Sequence, residues 1–182
     1  MSLIVLLGGA RSGKSRLGVQ TAQRWRGPVV VIATGQATDE EMAERIRRHR
    51  AERPRAWATI EEPVDLEGAL AQAPETACVL VDCLTLWVSN LMGQGLTDEE
   101  IEERAGKAAS LAATRDPPSV VITNEVGSGI VPVNDLDRRY RDLLGRVNAI
   151  WAESAARVLL VVAGRVVPLS EPGDLLTGDP DG

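Results

Sequence analysis

Near its start the chain runs Leu3-Ile4-Val5-Leu6-Leu7 straight into Gly8-Gly9-Ala10-Arg11-Ser12-Gly13-Lys14-Ser15, and a stretch with helical spacing follows. An apolar strand, a glycine-rich turn ending in Lys-Ser and then a helix is the setting of a phosphate-binding P-loop. Glycines at positions 8 and 13 let successive backbone N–H groups point at phosphate oxygens. The first turn of the helix adds its positive end. Lys14 is placed to reach the β- and γ-phosphates, and Ser15 to offer its hydroxyl to Mg²⁺. A chain with this element must start as strand, turn and helix, and its ligand is a nucleoside triphosphate.

At 182 residues the length favours one domain. Phe is absent and aromatics make up 3% of the chain, so the core is expected from Val, Leu, Ile and Ala. A net charge of −6 argues against a broad nucleic-acid surface or an anionic-membrane surface. No apolar run approaches the ~20 residues needed to span a bilayer. With Met1 only two residues from the first strand, no signal peptide is read, and a cytoplasmic location is expected. Cys78 and Cys83 flank one apolar run and read as packed thiols.

Leu3–Leu7, Val29–Ala33, a weaker 57–60, Cys78–Asp82, 119–123 and 158–163 are short β-rich runs separated by helical stretches. Near-continuous hydrophobicity marks strands buried on both faces. The expected fold class is therefore α/β, a three-layer fold of the P-loop NTPase type with a mostly parallel sheet flanked by helices. A single nucleotide-binding domain is assigned to residues 1–169. The Gly-, Pro- and Asp-rich tail over 170–182 is expected to be poorly ordered.

Thr38-Asp39-Glu40-Glu41 reads as a capping box with Thr38 as the cap. The helix it opens has to end before Pro54. Met42, Ile46 and His49 share its inward stripe, while Glu41–Arg45 and Glu44–Arg48 are spaced for ion pairs on the exposed side. His49 is the one histidine of the chain. A neutral imidazole nitrogen is a nucleophile, and the arginines around His49 would draw in a polyphosphate. A satisfied histidine on a solvated helix is the plainer alternative. Val79-Leu80-Val81-Asp82 closes an apolar strand on an acid, the place from which P-loop proteins hold Mg²⁺. Glu125 follows another strand and could orient an attacking hydroxyl, or merely cap its own loop. Asn134 caps a long helix whose stripe is Leu136, Tyr140, Leu143, Val147, Ile150 and Trp151. Arg138, Arg139 and Arg141 near its start are candidates for a ligand phosphate or for plain surface charge.

Taken in order, the P-loop, Ala33-Thr34-Gly35, Glu40-Glu41, Arg45-Ile46, His49, Arg53-Pro54, Trp57, Val81-Asp82-Cys83-Leu84-Thr85, Asn124-Glu125-Val126-Gly127, Ile130-Val131-Pro132 and Arg139-Tyr140-Arg141-Asp142 resemble one family. It is the bifunctional adenosylcobinamide kinase and adenosylcobinamide-phosphate guanylyltransferase family of cobalamin biosynthesis. Ala149, where a Gln is the family pattern, and Arg165-Val166-Val167 depart from it.

The resemblance implies two reactions: phosphorylation of the aminopropanol hydroxyl of adenosylcobinamide by ATP or GTP, then transfer of GMP from GTP to the new phosphate through a covalent histidine. It implies His49 as that histidine; Lys14, Asp82 and Glu125 are the further catalytic candidates, from the P-loop and strand-end readings of the residues themselves. It further implies nucleotide contacts at Gly8, Gly9, Ala10, Arg11, Ser12, Gly13, Lys14, Ser15, Ala33, Thr34, Gly35, Arg50, Ala51, Glu52, Arg53, Glu61 and Asp82, beside the Mg²⁺ read at Ser15 and Asp82 from the P-loop setting. The implied partners are adenosylcobinamide, its phosphate, nucleoside triphosphates and further copies of the chain, such as a trimer. Against this stand a P-loop kinase of another small alcohol, with His49 structural, and a nucleotide-dependent switch without turnover. The missing N-K-x-D guanine signature weighs against the switch.

Overall fold

The computed structural model describes residues 3–171 and 173. Seven strands form one sheet in the order β3-β2-β4-β5-β1-β6-β7. They are β1 (Leu3–Leu7), β2 (Val29–Ala33), β3 (Ala58–Glu61), β4 (Cys78–Asp82), β5 (Ser119–Ile122), β6 (Arg157–Val162) and β7 (Arg165–Leu169). Every pairing from β3 to β6 is parallel, and only β7 runs antiparallel, to β6. The helices are α1 (Lys14–Ala22), α2 (Glu40–Ala51), α3 (Leu66–Gln72), α4 (Leu84–Gly93), α5 (Asp98–Thr114) and α6 (Asp135–Glu153). Among the described residues no helix is long and apolar enough to cross a membrane.

Alternate residues of β1, β2, β4, β5 and β6 feed two cores of unequal size, because successive side chains leave a strand on opposite faces. On one face Leu3, Val5, Ile32, Val79, Val81 and Val121 pack with Leu66, Leu84, Trp87, Ile101, Leu143 and Trp151 of α3 to α6. On the other, Leu6, Val31, Leu80, Val120 and Ile122 meet Leu17 and Val19 of α1. The aliphatic core expected from composition is present, but two tryptophans, Trp87 and Trp151, are its largest fully buried side chains. Trp87 Nε1 donates to the Val64 carbonyl at 2.8 Å, which satisfies its one polar atom inside the core.

Several expectations are corrected. Asp39, not Thr38, caps α2: Asp39 is extended and its carboxylate accepts from Met42 N at 2.7 Å, while Thr38 N turns back to Gln36 O. The expected i,i+4 pairs on α2 give way to Arg47 on Glu44 at i,i+3. Trp57 lies just before β3 and packs against the α1-side clusters. Leu136, placed on the inward stripe of α6, is exposed, whereas Leu143, Val147 and Trp151 are buried as the stripe predicts. Strand β7 was not expected; all five of its residues are exposed, so it carries no buried apolar run to announce it. It exists because the turn at Ala163 and Gly164, both at positive φ, folds it back on β6. Of the tail over 170–182, residues 172 and 174–182 lie outside the described residues.

Candidate active site

The carboxyl ends of β1, β2 and β4 open onto one cleft of about 790 Å³, walled by the P-loop on one side and by α2 on the other. Ligands of open α/β sheets bind at this edge. The P-loop has the backbone its sequence demands: Gly8 and Gly13 sit at φ 155° and 103°. A side chain at Gly8 would run into the Val161 carbonyl of β6. The turn between β6 and β7 also braces the loop, with Gly164 N donating to Ser12 O at 2.9 Å. Lys14 is buried, and its Nζ donates to the loop's own Gly9 carbonyl at 2.8 Å. Burial lowers its pKa from the ordinary lysine value, and Cys83 and Asp82 nearby work against that shift.

Asp82 ends β4 opposite the loop. Its Oδ2 lies 3.0 Å from Arg53 Nη2 and 3.5 Å from His49 Nδ1. Burial alone would push this carboxyl up, but the His49 contact and the Arg53 guanidinium together hold it below the usual aspartate value. A carboxylate only accepts, so the neutral tautomer that this contact accommodates is the one with its proton on Nδ1, in which Nε2 holds the lone pair. Arg53 and Asp82 are both largely withdrawn from solvent; Arg50, by contrast, pairs with Glu61 at the exposed end of β3. Of the arginines near His49 in sequence, Arg47, Arg50 and Arg53 pair with Glu44, Glu61 and Asp82, while Arg45 and Arg48 line the cleft with the ring.

The cleft lining includes Ala10, Arg11, Ser12, Gly13, Lys14, Ser15, Ala33, Gly35, His49, Arg50, Glu52, Arg53, Glu61 and Asp82 from the expected set. Gly8, Gly9, Thr34, Ala51 and Glu125 are not among its lining residues. Glu125 has its Oε1 accepting from Gly127 N at 2.5 Å and Ser128 N at 3.1 Å within its own loop. Thr34 is fully buried, with its hydroxyl on the backbone of Cys83. Arg138, Arg139 and Arg141 meet Asp135, Asp98 and Asp142 and lie outside the cleft.

Lining residues that the sequence did not assign to the site include Leu86 and Asn124. Leu86 reads in sequence as part of an apolar core helix, and only the packing of α4 under Gly35 turns it to the cleft. Asn124 carries a signal in sequence, an amide two residues past the end of the buried strand β5. Its backbone is tied to Thr85 Oγ1 and to Asn148 Nδ2, each at 2.9 Å.

Among the described residues no group of three or more His, Cys, Asp and Glu is arranged to hold a metal by itself. A hydroxyl at Ser15 and a carboxylate at Asp82, both on the cleft, are hard oxygen donors. That donor set suits Mg²⁺ carried in with nucleotide phosphates rather than a metal held by protein alone.

Comparison with known proteins adds a second line of observation. A family model described as CobU, cobinamide kinase / cobinamide phosphate guanyltransferase, matches residues 4–169. The bifunctional adenosylcobalamin biosynthesis protein CobP of Pseudomonas aeruginosa is 44% identical over 168 residues, covering 91% of this chain and 95% of that protein. The bifunctional adenosylcobalamin biosynthesis protein CobU of Salmonella typhimurium is 41% identical over 179 residues, covering 89% and 96%. The Escherichia coli protein of the same name is 39% identical over 175 residues, again covering 89% and 96%. Among solved structures, a Pyrococcus horikoshii protein aligns over 97% of this chain and 90% of its own, at 11% identity and a TM-score of 0.55. A prototypical ATPase of a bacterial type III secretion system aligns over 96% and 60%, at 12% identity and the same TM-score of 0.55. These last two are likenesses of fold alone.

Proposed function

This chain belongs to the cobinamide kinase / cobinamide phosphate guanyltransferase family, and from that premise we propose that it carries out both reactions in the one cleft, with His49 as the covalent carrier of GMP. In the kinase step the aminopropanol hydroxyl of adenosylcobinamide attacks the γ-phosphorus of ATP or GTP. The bond from the γ-phosphorus to the bridging oxygen breaks, the nucleoside diphosphate leaves, and the hydroxyl proton goes to solvent or a neighbouring base. In the transferase step His49 Nε2 attacks the α-phosphorus of GTP, and pyrophosphate leaves. A phosphate oxygen of adenosylcobinamide phosphate then attacks the phosphorus of the phosphoramidate. The N–P bond breaks, adenosyl-GDP-cobinamide forms, and the ring returns to its neutral state.

The observation that carries this reading is the His49–Asp82 contact across from the P-loop. It gives the one histidine of the chain an oriented ring on the wall of a triphosphate cleft. Backbone N–H groups of the P-loop and Lys14 would stabilise charge developing on phosphate oxygens, the main way in which phosphoryl transfer is catalysed. Mg²⁺, held by Ser15 and Asp82 with the nucleotide, would supply further neutralisation of the phosphates. Arg50 and Glu61 stand at the outer end of the cleft, where the base of the nucleotide would lie. Oligomerisation belongs to the same proposal, and the exposed Ile130, Val131, Val133 and Leu136 supply apolar surface for it.

Incubation with GTP labelled on the α- or the γ-phosphate tests the assignment. The α label is expected to stay on the protein through denaturation and to leave in acid, and the γ label is expected not to be retained. Retention of the α label by His49→Ala would remove His49 from the mechanism. Absence of any label in the unsubstituted protein would reduce the proposal to a kinase.

A further inference from the structure

The ladder between β2 and β4 has its last rung at Ala33 and Asp82. Beyond that rung the peptide between Asp82 and Cys83 has no strand partner, yet it carries the carboxylate that faces His49 and Arg53. Thr34 takes up its polar groups. Thr34 N donates to Asp82 O at 3.2 Å. The Thr34 hydroxyl accepts from Cys83 N at 2.9 Å and donates to Cys83 O at 2.7 Å. Thr34 O in turn accepts from Asn90 Nδ2 at 2.8 Å, and the same amide reaches Pro63 O at 3.0 Å. One residue therefore brackets the Asp82–Cys83 peptide from both ends and is itself anchored to α4 and to the segment after β3.

A hydroxyl has a single proton to donate, and this one is spent on Cys83 O. Thr34 is wholly buried and is not among the residues lining the cleft. Its β-branch restricts χ1, which suits a side chain that must hold one orientation. These are the features of a brace and not of a ligand, although Thr34 lies between Ala33 and Gly35, both of which do line the cleft.

We propose that Thr34 is a positioning residue: its hydroxyl fixes the Asp82–Cys83 peptide, and so the distance from the Asp82 carboxylate to His49 and Arg53, without touching nucleotide. The inference rests on the reading in which Asp82 orients His49. Thr34→Val keeps the volume but leaves Cys83 N and O without this partner inside the protein. Thr34→Ser keeps the hydroxyl.

The test measures three quantities on the full chain: the rate of His49 guanylylation at saturating GTP, the Kd for GDP by calorimetry, and the melting temperature. Thr34→Val is expected to slow guanylylation about tenfold or more, since small misplacements of reacting groups cost rates of this order. GDP affinity is expected to stay within about twofold, and Thr34→Ser to restore most of the rate, because both follow from a hydroxyl that positions and does not bind. In an Asp82→Asn background the further loss from Thr34→Val is expected to shrink below about twofold, the mark of two residues acting through one contact. Where Thr34→Val does not fold, Thr34→Ala carries the same comparison. Weakened GDP binding with an unchanged saturated rate would make Thr34 a ligand and overturn the proposal. A lowered melting temperature with an unchanged rate would make it purely structural, with the same result. If Asp82→Asn alone leaves guanylylation unaltered, the role of Asp82 is wrong and the brace falls with it. If Asp82→Asn slows the reaction and Thr34→Val does not, only the brace is wrong.

Discussion

The two walls of the cleft are built on different principles. On the P-loop side, α1 is set into the sheet: Lys14, Gly18 and Ala22 are buried, and a side chain at Gly18 would stand 2.9 Å from Ile122 Cδ1 and 3.1 Å from Leu80 Cδ1. On the other side, α2 has no buried residue. Met42, Ile46 and His49 are only half-buried along the cleft, and the wall is tied down by polar contacts of His49, Arg50 and Arg53 to Asp82 and Glu61. A wall fixed by packing can hold a triphosphate at constant geometry. A wall held by a few ion pairs can exchange those partners for phosphates, which suits the proposed pair of reactions, one at the γ-phosphorus and one at the α-phosphorus.

That contrast can be broken by substitution. His49→Ala is expected to abolish GTP-dependent covalent labelling while leaving part of the kinase activity, measured as phosphate transfer to adenosylcobinamide. Loss of both to the same extent would mean that α2 serves the two reactions identically. Arg53→Ala withdraws the cation from a largely buried carboxylate and should cost about 3 kcal/mol of unfolding free energy in a urea titration. A negligible cost would show that Asp82 finds solvent, and that even the inner end of α2 is loosely held. Gly18→Val overfills the contact of α1 with Ile122 and Leu80 and should cost about 2 kcal/mol, with the KM for GTP little changed in whatever remains folded. A large KM change without loss of stability would make α1 the adaptable wall and reverse the comparison. Arg50→Ala removes an exposed pair with Glu61 and should cost below about 1 kcal/mol, because solvent screens it. Its effect should appear instead in the KM for GTP.

The fold was legible where one local signal sufficed. The P-loop motif and the buried runs of β1, β2, β4 and β5 are each realised in place. Legibility failed where the deciding partner was distant. Strand β7 depended on β6 for every contact that makes it a strand, whereas the choice of Asp39 over Thr38 as cap is a local one between two adjacent residues of cap type. In the site, the sequence nominated His49, Asp82 and Arg53 separately, 33 residues separating the first two along the chain. It had no means of seeing that one carboxylate oxygen faces both of the others. Glu125 and Thr34 show the same limit: position near the end of a strand is visible in a sequence, and the direction of a side chain is not.

What the sequence by itself determined is the chemistry this chain can perform: a phosphate cradle at Gly8–Ser15, a single histidine, and an acid at the end of a buried strand. Those follow from glycine's backbone freedom, from residue type and from hydrophobic period, all of which are local. What only the tertiary structure decided is which of the polar residues share a space. Parallel pairing of β2 with β4 brings Thr34 beside Cys83, and the docking of α2 over their ends brings His49 and Arg53 to Asp82. The physical reason is that a parallel sheet joins strands through long crossovers, so the residues that meet at its carboxyl edge are far apart in the chain.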